Sequence, residues 1–253
     1  MNIKEIVFSP TGGTKAVADI LARDLGVEPF SIDLTAPFVE NEQVMLSADD
    51  VVVIAMPCYC GRVPVLAAER FRRINGNGAR AVIVAVYGNR AYDDQLVEML
   101  DLAKEAGFTV VAAVEAVAEH SIARDYAAGR PDVDDAKVLS GFAKEIADKL
   151  RRDDNSQPDV PGNRPYKEGP CGGMVPQAND NCVHCGECVE VCPNGAIAAD
   201  NMETADPERC ISCMRCIAVC PTQARSLDAA MLAGLTERLR EVCSIRKEAK
   251  LYL

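Results

Sequence analysis

Eight cysteines fall within 39 residues, and they fall twice into the same frame. "CVHCGECVEVCP" from Cys182 and "CISCMRCIAVCP" from Cys210 each set three cysteines at every third position, a fourth four positions on, and a proline behind it. Every thiol has a counterpart 28 residues later. Four soft thiolates within reach of one another suit zinc or an iron-sulfur cluster. Zinc sites usually pair two C-x2-C knuckles across a longer loop, whereas this tight triple with a trailing fourth cysteine is the spacing of [4Fe-4S] ligands. Such a repeat implies two halves folded against each other, since neither half alone buries a cluster.

Composition agrees with metal ligation. All twelve cysteines lie beyond the first 57 residues, a clustering unlike the even disulfide framework of a short secreted chain. With 253 residues, 49% apolar and 26% charged, the chain fits one full domain plus a small one. No apolar run reaches the length of a membrane span, and "MNIKEIVFSP" has no leader pattern, so the expectation is a soluble cytoplasmic protein. The net charge of -11 is spread over both halves, 17 basic against 23 acidic residues up to Arg152 and 10 against 15 after it. Without a basic stripe, nucleic acid is excluded as an expected partner; the acidity serves solubility, or steering toward a basic redox partner.

From residue 1 to 152, short apolar runs alternate with patterned stretches, the signature of βαβ units around a parallel sheet. Five strands are predicted at Ile3 to Phe8, Glu28 to Asp33, Asp50 to Met56, Arg80 to Tyr87 and Phe108 to Val117. Helices are predicted at Thr14 to Leu25, Pro64 to Ile74, Asp93 to Ala106 and Asp134 to Arg152. Residues 153–178, rich in Pro, Gly and polar side chains, read as a solvated linker. The cysteine repeat occupies 179–228. The tail, 229–253, reads as an amphipathic helix capped at Ser226, with Leu232, Leu235, Leu239 and Val242 along one stripe that packs on protein.

"IVFSPTGGTKAVADIL" sets a strand, a hydroxyl-rich glycine turn and a helix in succession. Such a turn collects backbone N–H groups around one anion site. Gly12 and Gly13 satisfy neither the dinucleotide fingerprint nor the P-loop. Ser9, Thr11, Gly12, Gly13 and Thr14 resemble instead the S-x-T-G-x-T phosphate loop of flavodoxins, which holds the phosphate of FMN; the usual Asn after the first glycine is Gly13 here. In a sheet of order 2-1-3-4-5, the loops after the third and fourth strands meet at the same end. They read "MPCYCGRVP" and "YGNRAYDDQ". By this resemblance Pro57, Tyr59, Cys60, Gly61 and Arg62 from the first, and Tyr87, Gly88, Asn89 and Tyr92 from the second, flank FMN.

The cysteine region, in turn, resembles a bacterial two-cluster ferredoxin over residues 179 to 227. That resemblance implies swapped fourth ligands: Cys182, Cys185, Cys188 and Cys220 on one [4Fe-4S] cluster, Cys210, Cys213, Cys216 and Cys192 on the other. The whole chain, through "GRVP", "AAGRPD" and "PGNRPYKEG" to both cages, resembles the flavodoxin-ferredoxin fusion proteins found mainly in anaerobes. The fold class implied is α/β, a flavodoxin-like doubly wound five-stranded parallel sheet, plus a small α+β ferredoxin domain.

The function implied is electron transfer between FMN, two [4Fe-4S] clusters and an external redox partner, either a protein or a small-molecule acceptor. The alternative is an FMN-dependent reductase of a small organic substrate fed by its own ferredoxin domain, with Cys58, Cys60, Arg62, Arg90 and His120 around the substrate. A structural or sensing module is the third class. Cys58, Cys60 and His120 are the catalytic candidates; each also reads as an ordinary loop or core residue. His184, lying between two ligands, is a loop residue placed to tune a cluster. Cys171 and Cys243 have no companions at ligand spacing and read as incidental.

Overall fold

A computed structural model describes residues 2–26, 30–36, 43–169 and 171–253 of the chain. Long apolar runs bury on both faces when helices cover a parallel sheet from both sides, and three strands here do so. These are β4 (Asp50–Pro57), β6 (Arg80–Tyr87) and β7 (Thr109–Val117), with β1 (Asn2–Val7) and β2 (Phe30–Asp33) beyond β4. β2 begins two residues inside the predicted run, whose first residues, Glu28 and Pro29, lie outside the described residues. All four pairings among these strands are parallel, in the order β2-β1-β4-β6-β7, which is the flavodoxin-like 2-1-3-4-5.

Side chains alternate between two layers. Val52 and Ile54 face α2 (Val65–Phe71) and α3 (Gln95–Glu105), while Val51, Val53 and Ala55 face α1 (Gly13–Leu25) and α4 (Val133–Arg151). α4 starts on a capping box, Asp132 accepting from the N–H groups of Asp134 and Asp135 while Asp135 returns a bond to Asp132 N. A two-residue pairing of β3 (Val44–Met45) with β5 (Ile74–Asn75) sits to one side.

The sheet has a sixth strand that the five-strand expectation lacks. β10 (Lys250–Tyr252) joins β7 antiparallel, Leu251 opposite Val114. Three residues at the end of a charged tail carry too short an alternation to announce a strand. The tail helix, α7, is correspondingly shorter than expected, Ala229–Cys243. Its cap is Asp228, which accepts from Met231 N at 2.9 Å; Ser226 instead lies in β9 (Arg225–Ser226). Leu239 and Cys243 are buried on this helix, whereas Val242, assigned to the apolar stripe, is 46% exposed.

The segment after α4 is largely exposed, yet its described residues are bonded to the first domain. Asp94 accepts from Asn163 N (2.8 Å) and Lys167 N (2.6 Å), Asp101 takes the Arg164 fork and the Tyr166 hydroxyl, and Tyr166 lies under the Arg62 guanidinium. The segment ends in β8 (Gln177–Ala178), paired antiparallel with β9.

The repeat region shows its 28-residue period in the backbone. The short helices α5 (Glu187–Glu190) and α6 (Arg215–Ala218) are 28 apart, and so are the left-handed residues His184 and Ser212, Gly186 and Met214, Gly195 and Gln223. Only Ala196, Ile197 and Ala205 make an apolar centre there, with four of the repeat cysteines against it.

Asn89 holds the tail in place: buried, it donates to Cys243 O at 2.6 Å and Ile245 O at 2.9 Å, and accepts from Lys247 N at 3.2 Å. Asn89→Ala therefore costs about 1–3 kcal/mol, from the buried carbonyls it strands. The expected outcome in hydrogen exchange is faster loss of protection at Lys250–Tyr252 than in the central strands.

Candidate functional site

At the carboxyl end of β1 the chain turns through Ser9 to Gly12 into α1. Ser9 N donates to Thr35 Oγ1 at 2.7 Å, and Ser9 Oγ accepts from Lys15 N at 2.9 Å, so this serine braces the loop from inside. Gly12 is left-handed, φ 90°, which glycine adopts without strain. Of the first-turn N–H groups of α1, Lys15 and Ala16 are taken by Ser9 Oγ and Gly12 O; those of Gly13 and Thr14 have no partner among the described residues, and no acidic side chain occupies that turn. A cavity of about 370 Å³ opens here between Thr11, Gly12 and Gly13 and, from the cysteine repeat, Met214, Ile217 and Ala218.

Sequence reasoning missed Arg130 in this place. It lines the same cavity, forks onto Asp135 at 2.8 and 2.5 Å, and has a buried Nη1 with no partner among the described residues. Its signal in the sequence is the arginine of the run "AAGRPD". Donor set and free cationic nitrogen both fit a phosphate.

A narrow neck bounded by Thr14, Pro57 and Tyr87 leads to a second cavity, of about 310 Å³. Its floor is the strand ends, with Cys58, Tyr59, Gly61, Tyr87 and Gly88; Ile211, Ser212 and α7's Leu235 and Leu239 roof it. The Tyr59 hydroxyl is buried with no partner among the described residues, and burial, with Cys213 nearby, holds its pKa well above 10. A buried hydroxyl without a hydrogen bond is costly, and its place in both cavity and neck fits a ligand that supplies one. Gly88 is required because a Cβ would stand 2.8 Å from His120 Cα. His120 Nδ1 accepts from Ile122 N and Ala123 N at 3.2 and 3.1 Å, which puts the proton of the neutral ring on Nε2. Burial, aided by Arg90, lowers its pKa below the ordinary 6.5.

Three expected cofactor residues are engaged elsewhere. Asn89 anchors the tail, as above. Arg62 forks onto Glu98 at 2.7 and 2.8 Å and donates to Lys167 O, clamping the tether. The Tyr92 hydroxyl is bonded to Glu115 and lies 3.2 Å from that of Tyr252, which ties it to β10. Cys171, read as incidental, forms a disulfide with Cys60, 111 residues away; neither residue type nor spacing announces that pairing. Cys243, likewise read as incidental, is buried at the end of α7, where its carbonyl receives Asn89.

In the repeat, Cys192 lies beside Cys210, Cys213 and Cys216. Burial and this proximity push Cys213 up to about 12 and Cys216 to about 11. Matching backbone bonds reach the two trailing thiols, Ala196 N to Cys192 Sγ and Ala224 N to Cys220 Sγ, each at 3.2 Å. Arg225, in β9, reaches Cys188 Sγ at 3.7 Å. Donors aimed at sulfur are what thiolate ligands of a cluster receive. The first cage faces outward, with Cys185 exposed and Val183 63% exposed.

Residues 181–224 match the family of 4Fe-4S dicluster domains. No curated protein matches the chain. Among solved structures, the Streptococcus pneumoniae flavodoxin is 22% identical, covering 58% of this chain and 99% of its own, TM-score 0.38. Megasphaera elsdenii flavodoxin is 16% identical over 58% and 98%, TM-score 0.38. A flavodiiron core from Synechocystis is 16% identical over 61% of this chain, TM-score 0.43, and only 37% of that longer protein is covered. The fold assignment rests on the strand order itself. Among the described residues no helix is long and apolar enough to cross a membrane.

The neutral state of His120 has a measurable consequence. Since the fold disfavours its protonation, the unfolded chain takes up that proton first, and stability falls as pH drops below 6.5. In His120→Gln that part of the slope vanishes, so denaturant unfolding at pH 5 and pH 7 gives a smaller difference for the variant than for the parent.

Proposed function

We propose that this chain, a flavodoxin-like domain joined to a ferredoxin-like one, is an electron-transfer protein that carries FMN at the strand ends and a [4Fe-4S] cluster in each cysteine cage. The observation that carries this reading is the shared cavity: Ile211 and Ser212 of the second cage line the same space as Tyr59, Tyr87 and Gly88. FMN exchanges electrons in pairs or singly, and the clusters exchange them singly.

The residues divide the work. Gly13, Thr14, Thr11 and Arg130 hold the phosphate; Tyr59, Tyr87, Gly61 and Gly88 bound the ring site, and His120 offers Nε2–H to it. Cys210, Cys213, Cys216 and Cys192 hold the near cluster. Cys182, Cys185, Cys188 and Cys220 hold the far one, whose exposed loop meets the redox partner. The roof of α7 and the second cage favours a carrier over a reductase, because it gives the strand-end cavity to the chain's own cluster rather than to a small substrate.

An anaerobic reductive titration, after counting iron and flavin, tests the reading. About eight irons and one FMN per chain, with electrons equilibrating between them, are expected; iron without flavin would refute it. The order of the clusters follows from two variants. Cys213→Ser leaves flavin bound but cuts its equilibration with the remaining cluster, whereas Cys185→Ser keeps that step and slows delivery to an external one-electron acceptor. The opposite pattern would reverse the order.

A further inference from the structure

Cys60 and Cys171 form a disulfide in a chain whose other ten cysteines form none. That is chemically out of place. Cluster ligation needs reduced thiols, and a compartment that keeps eight of them reduced also opens a solvent-reachable disulfide, so disulfides there are characteristically transient and redox-active. Both residues are exposed, so reductant can reach the bond.

The location supplies the second argument. Cys60 stands in the loop after β4, Cys171 at the end of the tether, and their Cα atoms are 5.7 Å apart. Together they form a wall common to the strand-end cavity and to an outer cavity of about 700 Å³. On the inner side the wall adjoins Tyr59 and Gly88. Gly172 follows Cys171 at once and lines the same inner cavity, as do Met174 and Ser212, where Met174 N donates to Ser212 Oγ of the second cage at 3.1 Å. The bond thus sits where the flavin site and the near cage meet.

We propose that Cys60–Cys171 is a third redox centre of this chain, a dithiol/disulfide couple that exchanges two electrons with the reduced flavin. This rests on the function proposed above. The S–S bond would break and two S–H bonds form; the reduced flavin, oxidised in the same step, would supply the two electrons directly, and the two protons would come from it or from solvent. The reverse step returns them. Cys58 lines the same cavity but is no exchange nucleophile: burial pushes its thiol up to about 12, and it donates to Ala91 O at 3.6 Å. The pair therefore works as a unit, without a third cysteine trapping either half.

The test uses the whole protein, purified anaerobically and analysed for iron and flavin. Reductant is added stepwise, each step is quenched with a thiol alkylating agent, and the peptides carrying Cys60 and Cys171 are quantified by mass spectrometry. The expected result is oxidised cysteines at the start and parallel labelling of both as the flavin bleaches. The double variant Cys60→Ser/Cys171→Ser, with iron and flavin content unchanged, should take up two fewer electrons per chain. A flavin-loaded protein whose disulfide opens only on denaturation, or whose cysteines are labelled throughout, overturns this proposal and leaves the electron-transfer reading standing. A protein with iron and no flavin overturns both.

Discussion

The seating of the second cysteine cage on the carboxyl ends of a parallel sheet is the contact on which the rest of the structure depends. Parallel strands all end on one side, so their loops collect there, and a glycine turn at the head of a helix adds N–H groups to the same edge. A lone domain would leave that edge open to water. Here Ile211, Ser212, Met214, Ile217 and Ala218 close it, and the same residues belong to the loop and short helix α6 that place Cys210, Cys213 and Cys216. One surface therefore both covers the strand ends and sets a cage of cysteines beside them.

Holding two domains in that relation takes more than a tether. The ion pairs along it, such as Arg164 with Asp101, are partly exposed, and such pairs contribute about 0–1 kcal/mol each. The buried polar contacts weigh more, because breaking them leaves groups without water. Arg70 donates to Leu34 O and Thr35 O in the first domain and to Pro193 O, next to Cys192, in the second. Tyr126 OH reaches Thr236 O at 2.7 Å, and Asn89 grips the chain after α7. The tail then returns to the sheet as β10, so the repeat region is attached to the first domain through both its ends.

Much of this was legible beforehand, for identifiable reasons. β6 was readable to the residue because a strand buried on both faces must be apolar throughout. The glycine turn and both cages were readable because each is a local frame, complete within a few positions. The anchoring bonds of Asn89, Arg62 and Tyr92 are not legible in sequence, because a loop at a cofactor edge and a loop that anchors a distant segment use the same polar and aromatic residues. Arg130 was overlooked because it reaches the glycine turn from more than a hundred positions away. The tail was read as one helix because β10 takes its pattern from β7, not from its own three residues.

Local frames, then, were determined by the sequence alone: thiol spacing, strand polarity, the hydroxyl-glycine turn and the 28-residue repeat that reappears in paired left-handed residues. These depend on bond geometry and on the periods of helix and strand, which act over a few residues. Which frame faces which was decided only by tertiary structure. That the second cage rather than the first meets Tyr59, and that Cys60 finds Cys171, follow from packing distant segments against one sheet edge. Packing is a property of surfaces brought together from distant parts of the chain, and no short stretch of residues carries it.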